Sequence, residues 1–238
     1  MKVAVVIPTY NEAENLPRVV AVLDALGISG LGIVIVDDGS PDGTGTVADK
    51  LAAAQPGRFI VIHREGKLGL GTAYVAGFKA ALGAGAEVVV EMDADLSHPP
   101  SELPAMIAKL AAADVVTGSR YVKGGSVDPA WSFRRKQTSA WGSRGIRCVL
   151  GLKVKDATCG FKAFRRTALE KINPDTLTLV GYGFQAEVAY ACQKAGLRVV
   201  EHPILFTDRK YGKSKMSLAI MIEAFWRLTL LRLRGRRG

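Results

Sequence analysis

Cysteine is scarce: Cys148, Cys159 and Cys192 are the three in 238 residues. An odd number at wide spacing is no disulfide framework, and without a C-x-x-C pair there is no cysteine zinc site. A reducing, cytosolic setting is expected. Histidine is equally sparse. His63, His98 and His202 are scattered and form no metal-ligand set. Long apolar runs are missing as well. Met1 to Ile7 runs into Pro8 and is too short for a secretory leader. The longest apolar stretch, Met216 to Leu231, is broken by Glu223 and Arg227. It falls short of the ~20 residues that a spanning helix needs, so no transmembrane helix is predicted. Nucleotide fingerprints are absent too. Lys67 with Gly69 and Gly71 lacks the G-x-x-x-x-G-K-[ST] spacing, and the glycine after Gly71 is Gly77, out of place for G-x-G-x-x-G. These glycines are expected to let a helix start close to a ligand or a neighbouring strand. No repeat, low-complexity tract or long linker divides the chain.

What is present is a basic α/β pattern. The length suffices for one domain with a sizeable core. Lys+Arg number 32 against 22 Asp+Glu, a net charge of +10. The excess gathers in residues 120–166 and in the tail, with Arg232, Arg234, Arg236 and Arg237. Such a surface suits a nucleotide, a nucleic acid or anionic lipid. Apolar runs at Val3 to Ile7, Ile33 to Val36, Phe59 to His63 and Val88 to Met92 read as buried strands. Helical spacing separates them at Asn15 to Leu26, Thr44 to Ala54 and Gly69 to Leu82. This alternation predicts a parallel sheet flanked by helices. Further on, a helix over 101–112, strands over 114–117 and 158–164, a basic helix from Ser132 to Leu150, a helix from Phe184 to Lys194 and one or two strands around Pro203 are expected. A polar loop over 208–215 and a helix over 216–233 follow.

Acids stand where these strands end. Asp93 and Asp95 sit two apart, and Pro99-Pro100 stops the strand. Two such carboxylates can share a proton, cap a turn or hold a divalent cation. His98 beside them is placed to orient them. Asp37-Asp38-Gly39-Ser40 is good turn chemistry by itself, or a hold on a ribose or base edge. Tyr10 is a core-edge residue or a platform for a base. In helix-flanked parallel sheets ligands bind beyond the C-terminal strand ends, and Tyr10-Asn11-Glu12, Asp37-Asp38 and Asp93-Ala94-Asp95 all lie there. Four cations in Arg209 to Lys215 suit a lid on phosphate, or are an exposed loop. Arg134-Arg135-Lys136 with Ser139 is a second anion-site candidate, or a solvated face.

In this order, Val6-Ile7-Pro8-Thr9-Tyr10-Asn11-Glu12, Val36-Asp37-Asp38-Gly39-Ser40 and Asp93-Ala94-Asp95-Leu96-Ser97-His98-Pro99 resemble the signature of family 2 glycosyltransferases of GT-A fold. Lys67 to Tyr74, Gly118-Ser119-Arg120-Tyr121, Thr158-Cys159-Gly160-Phe161-Lys162, Gly183 to Glu187 and Arg209 to Lys215 are similar to the dolichol-phosphate (polyprenol-phosphate) mannose synthases within it. The resemblance covers Val3 to about Lys215. It implies a Rossmann-like mixed sheet and transfer of mannose from GDP-mannose to a dolichyl or polyprenyl phosphate with inversion. Transfer of glucose from UDP-glucose to the same lipid is the alternative within enzymes. Nucleic-acid binding is the alternative outside them; few aromatics interleave with the basic residues, and no nucleic-acid partner is expected.

The resemblance places Pro8, Tyr10, Glu12, Val36 and Asp38 around the nucleoside. It places Asp93 and Ala94 near the diphosphate, and Asp95 and Ser97 at Mg²⁺ or Mn²⁺. Some members have glutamine at the last position; the shorter serine reaches a metal weakly or through water. Arg120, Arg209 and Lys215 are implied on the donor, and Arg135 and Ser139 on the acceptor's phosphate. Residues 1–215 are then the catalytic domain, and 216–238 an amphipathic, arginine-tailed helix. That helix suits peripheral docking on the cytoplasmic face of a membrane; packing on the domain, or on a partner such as a small membrane subunit, is the other option. Many relatives carry further C-terminal membrane spans, and this chain resembles the short subtype.

Overall fold

The computed structural model describes residues 2–181, 183–208 and 218–234. In the first half, β1 (Val3–Thr9), β2 (Leu31–Asp37), β3 (Phe59–His63) and β4 (Val88–Glu91) alternate with α1 (Asn15–Ala25), α2 (Thr44–Ala54) and α3 (Leu70–Gly83). The four strands pair in parallel in the order β3-β2-β1-β4. Thr9 pairs with Asp37, Asp37 with His63 and Val6 with Glu91, so the C-terminal ends stand side by side. The strands read as unbroken apolar runs because helices cover both faces. Val5, Ile7, Ile33, Ile35 and Val90 pack with Leu16, Val19 and Leu23 of α1. Their neighbours Ala4, Val6, Val34 and Val36 point the other way, onto Tyr74 and Phe78 of α3.

The second half departs from the predicted alternation. α4 (Leu103–Lys109) is flanked by 3-10 turns at Pro100–Glu102 and Leu110–Ala112, so the helix expected over 101–112 is broken in three. β5 (Val115–Ser119), β6 (Ser126–Val127), α5 (Phe133–Leu150), β7 (Lys162–Arg165) and α6 (Arg166–Ile172) follow, then α7 (Phe184–Lys194), β8 (Val199–Pro203), β9 (Leu205–Phe206) and α8 (Leu218–Arg234). β7 lies antiparallel between β4 and β5, giving a seven-stranded order β3-β2-β1-β4-β7-β5-β8 among the described residues. The sheet is therefore mixed, as the GT-A resemblance implied and strand–helix alternation alone did not.

The strand expected from Thr158 begins only at Lys162. Residues before it are engaged elsewhere: the Thr158 hydroxyl accepts from Arg120, and the Cys159 carbonyl from Lys162. α6 and β6 were not expected, nor was the parallel pairing of β6 with β9, the second of the strands expected around Pro203. α8 closes on α5. Leu228 is buried with Leu150 and Leu152, and Arg232 Nη1 donates to the Val149 carbonyl at 2.7 Å. Phe225, Trp226 and Leu233 stay exposed. Among the described residues no helix is long and apolar enough to cross a membrane.

Candidate active site

β4 ends at Glu91 and delivers the turn Asp93-Ala94-Asp95. Asp95 is buried, and its Oδ1 accepts the Ser97 N–H at 3.0 Å. Leu96 between them has φ 59°, a left-handed conformation that is unfavourable for a branched side chain. Thr207 clamps this turn. Its hydroxyl donates to the Leu96 carbonyl and its N–H to the Ser97 carbonyl, both at 3.2 Å. Ala94 turns its side chain into the core. Asp93 Oδ1 accepts from the Tyr74 hydroxyl at 3.0 Å, and the Asp93 N–H donates to His98 Nδ1 at 3.2 Å. His98 is buried against Phe161, and burial holds its pKa below the usual imidazole range despite Asp93 and Asp95. With Nδ1 accepting, its proton sits on Nε2. The ring is a neutral clasp for the turn, not a poised base.

Two loops are laced together beside it. The N–H groups of Asn11 and Glu12 donate to Ser40 Oγ and Thr44 Oγ1 at 3.0 and 2.9 Å. Glu12 Oε2 accepts from Asn15 Nδ2 at 2.7 Å. Asp37 is the turn cap: it accepts from Thr9 Oγ1, Ser40 N and Ser40 Oγ at 3.1, 3.1 and 2.5 Å. Asp38 is the acid that faces Arg64, 2.9 Å away; burial raises its pKa, opposed by Arg64 and by the amides of Gly69 and Leu68. Lys67 Nζ stands 4.5 Å over the Tyr10 ring. Pro8, beside Val36 in the sheet, is partly exposed. Val36 itself is wholly enclosed, its Cγ2 3.2 Å from where a Cβ on Gly77 would lie. Expected around a nucleoside, it offers no exposed surface of its own. Gly69 and Gly71 were expected to let a helix start close to a ligand or a neighbouring strand. The Gly71 N–H donates to the Val180 carbonyl at 3.0 Å, and a Cβ on Gly71 would lie 2.1 Å from the Leu179 carbonyl. The glycines admit a neighbouring loop.

On the other side, Arg120 grips buried Asp156 through Nε and Nη2 at 2.7 and 2.8 Å, and its Nη2 also reaches Thr158 Oγ1 at 2.8 Å. Burial pushes the Asp156 pKa up, but Arg120 outweighs it and the carboxyl stays below its ordinary range. Arg135 forks onto Asp208 at 2.7 and 3.0 Å, with its guanidinium 3.8 Å over Trp131. Ser139 Oγ shares a hydrogen bond of 2.8 Å with the Tyr121 hydroxyl. Arg209 and Lys215 lie outside the described residues. One ring gathers these parts: Phe206 is 5.5 Å from His98, 5.3 Å from Arg120 and 5.8 Å from Trp131. Sequence reasoning missed Phe206, and also Tyr74, Asp156 and Thr207. Their partners are distant along the chain, so no local spacing marks them.

The comparisons with known proteins bear on this geometry. Residues 4–173 match the model of Glycosyl transferase family 2. The chain is 46% identical over 233 residues to the polyprenol monophosphomannose synthase of Mycolicibacterium smegmatis, covering 98% of this chain and 87% of that one. It is 45% identical over 230 residues to the undecaprenyl-phosphate mannosyltransferase of Micrococcus luteus, covering 96% and 93%. The chain belongs to glycosyl transferase family 2. Its fold is shared with glucosyl-3-phosphoglycerate synthase from Mycobacterium tuberculosis, solved with Mn²⁺, UDP and glucosyl-3-phosphoglycerate. That match has TM-score 0.65 and 21% identity, and covers 99% of this chain and 79% of that one.

The donor atoms of this family 2 glycosyltransferase fit a hard divalent cation. Asp95 and Ser97 offer oxygen only, which suits Mg²⁺ or Mn²⁺. Ser97 Oγ is buried and makes no hydrogen bond among the described residues. An unmet hydroxyl costs roughly 1–3 kcal/mol, and a cation or its water relieves that cost. Among the described residues no cluster of three or more His, Cys, Asp or Glu could hold an ion. A cation held by Asp95 and Ser97 would take its remaining ligands from water or phosphate, as Mg²⁺ commonly does.

Proposed function

We propose that this chain is an inverting glycosyltransferase that moves mannose from GDP-mannose to a polyprenyl or dolichyl monophosphate. The observation that carries it is the identity of 45–46% over nearly the whole chain to two proteins named for mannose transfer to polyprenyl phosphate. The site's chemistry supports the same reading. An acceptor phosphate oxygen forms a bond to the anomeric carbon while the bond from that carbon to GDP breaks, and the electron pair leaves with GDP. Attack opposite the leaving group turns an α-linked donor into a β-linked product. The acceptor is already ionised at neutral pH, so no base is needed, in keeping with a neutral, buried His98. Pro8, Tyr10, Glu12 and Asp38 are proposed to take the nucleoside, and Asp93 with the Ala94 backbone to line the diphosphate. Asp95 and Ser97 would hold a divalent cation, which would supply charge stabilisation of the departing diphosphate. Arg209 and Lys215 are proposed to add positive charge there, and Arg120 to lie against donor sugar or phosphate. Arg135 and Ser139 are proposed for the acceptor's phosphate.

Residues 1–215 are proposed as the catalytic unit and 216–238 as a membrane-interface helix, with exposed Trp226 and Leu233 facing lipid and Leu228 facing α5. The test is a panel of labelled nucleotide sugars incubated with Mg²⁺ or Mn²⁺ and a short polyprenyl phosphate, followed by extraction of the lipid. Labelled lipid from GDP-mannose is expected. Labelled lipid from UDP-glucose alone overturns the donor assignment.

A further inference from the structure

The motif Thr158-Cys159-Gly160-Phe161-Lys162 has one member that no role above absorbs. Lys162 is 2% exposed and stands in the sheet beside Glu91, two residues before Asp93. It donates to Glu91 Oε1 at 2.6 Å, to the Cys159 carbonyl at 2.6 Å and to Gln185 Oε1. All three of its protons are thereby used. Each partner sits on a different piece of the site. Glu91 is the last residue of the strand that delivers Asp93 and Asp95. Cys159 precedes Gly160, where a Cβ would lie 3.7 Å from Asp93 Oδ1 and 3.3 Å from both His98 Cε1 and Gln185 Nε2. Gln185 stands in the first turn of α7, next to Phe184, whose ring stacks on Tyr74 at 5.8 Å. Tyr74 in turn holds Asp93.

A buried ion pair is a poor device for stability alone, because desolvation offsets most of the attraction. Its geometry here does something else. We infer that Lys162 is a positioning residue of the donor site: its ammonium pins the Asp93–Asp95 strand end, the Cys159–Gly160 wall and α7 to one point. The reach of Asp93 and Asp95 toward a donor diphosphate is set from behind by this one cation. The inference rests on the proposed reaction for the identity of the donor, not for the geometry.

The experiment compares wild type with Lys162→Met, Glu91→Gln and the double variant in the full chain, measuring Tm, donor KM and acceptor KM. Lys162→Met leaves a buried carboxyl without its cation and lowers Tm. In the double variant two neutral side chains replace the pair and Tm recovers, but nothing holds the Cys159 carbonyl. Donor KM is then expected to remain raised by about ten-fold, the low end of what losing an outer support of a site costs, with acceptor KM within about two-fold. A double variant whose donor KM returns with its Tm overturns the inference, since Lys162 then only supports the fold. Donor and acceptor KM rising together overturns it as well. If wild type transfers nothing from GDP-mannose, the proposed reaction fails separately. The same comparison is then made with the Kd of whichever nucleotide sugar of the panel binds wild type, and equal Kd in wild type and the double variant overturns the positioning role.

Discussion

The Tyr74 hydroxyl reaches Asp93 Oδ1 across 3.0 Å from a ring that is wholly out of solvent. Burial first, then the charges of Asp93 and Glu91, push the phenol well above its ordinary range, so it donates and does not ionise. Tyr74→Phe keeps the stacking on Phe78 and Phe184 and removes the donor. A stability loss of about 1 kcal/mol is expected, with a several-fold rise in donor KM. Thermal unfolding and donor saturation curves check both. An unchanged donor KM separates Asp93 from the donor.

Asp95→Asn keeps an acceptor for the Ser97 N–H and removes the charge. The fold should survive, while kcat drops by at least about a hundred-fold, as when a single stabiliser of developing charge is lost. Chelation of wild type should likewise stop turnover, and added Mg²⁺ or Mn²⁺ should restore it. Full activity of the variant sinks the site assignment.

Asp208 already occupies the fork of Arg135. If Arg135 takes the acceptor's phosphate, the Asp208 carboxylate competes with it. The pair is exposed, so its removal is worth up to ~1 kcal/mol. Asp208→Asn should therefore lower acceptor KM by no more than about five-fold, and Arg135→Ala should raise it. A higher acceptor KM in Asp208→Asn means the two groups do not compete.

Burial raises the Glu91 pKa from 4.5 to about 7, even with Lys162 beside it. The folded state then keeps a proton that the unfolded chain has released. Stability from this group is full below pH 4.5 and is lost as pH rises to about 7, after which it is flat. The unfolding free energy of wild type should fall relative to that of Glu91→Gln over that window. A constant difference across it shows that the Glu91 carboxyl is not raised.

Trp226 stands on the face of α8 turned away from Leu228. Trp226→Glu should weaken binding to vesicles rich in anionic lipid without lowering Tm, because the packed face is untouched. Cosedimentation equal to wild type favours α8 as a purely intramolecular helix. Deleting the helix is a poorer test, since it also uncovers Leu150 and Leu152.

Local pattern carried the first half of the fold. Thr44 to Ala54 and Phe59 to His63 are helix and strand as their spacing predicts, because parallel strands covered on both faces stay apolar throughout. The second half was less legible where charge, not periodicity, sets the path. Residues 158–161 look like strand, yet Arg120 and Lys162 claim their polar groups. α6 is only seven residues long and starts directly from β7. At the site, the acids could be read because strand ends are marked by composition. Their roles could not. Asp37 and Asp38 are neighbours with opposite duties, one tied to Ser40 and the other facing Arg64. Lys162 and Glu91 meet across 71 residues, a pairing with no signature in either segment.

That separation has a consequence during synthesis. The four parallel strands are complete once Glu91 has emerged, but the far edge of β4 stays open until β7 follows. Until then the nascent chain presents an unpaired strand edge, the kind that recruits other chains, and a carboxyl without its ammonium. The order in which the ribosome releases these segments makes the acidic turn the last part of the parallel half to be secured. Pausing of translation between residues 91 and 162 should expose it to aggregation, which ribosome-bound chains of increasing length would report.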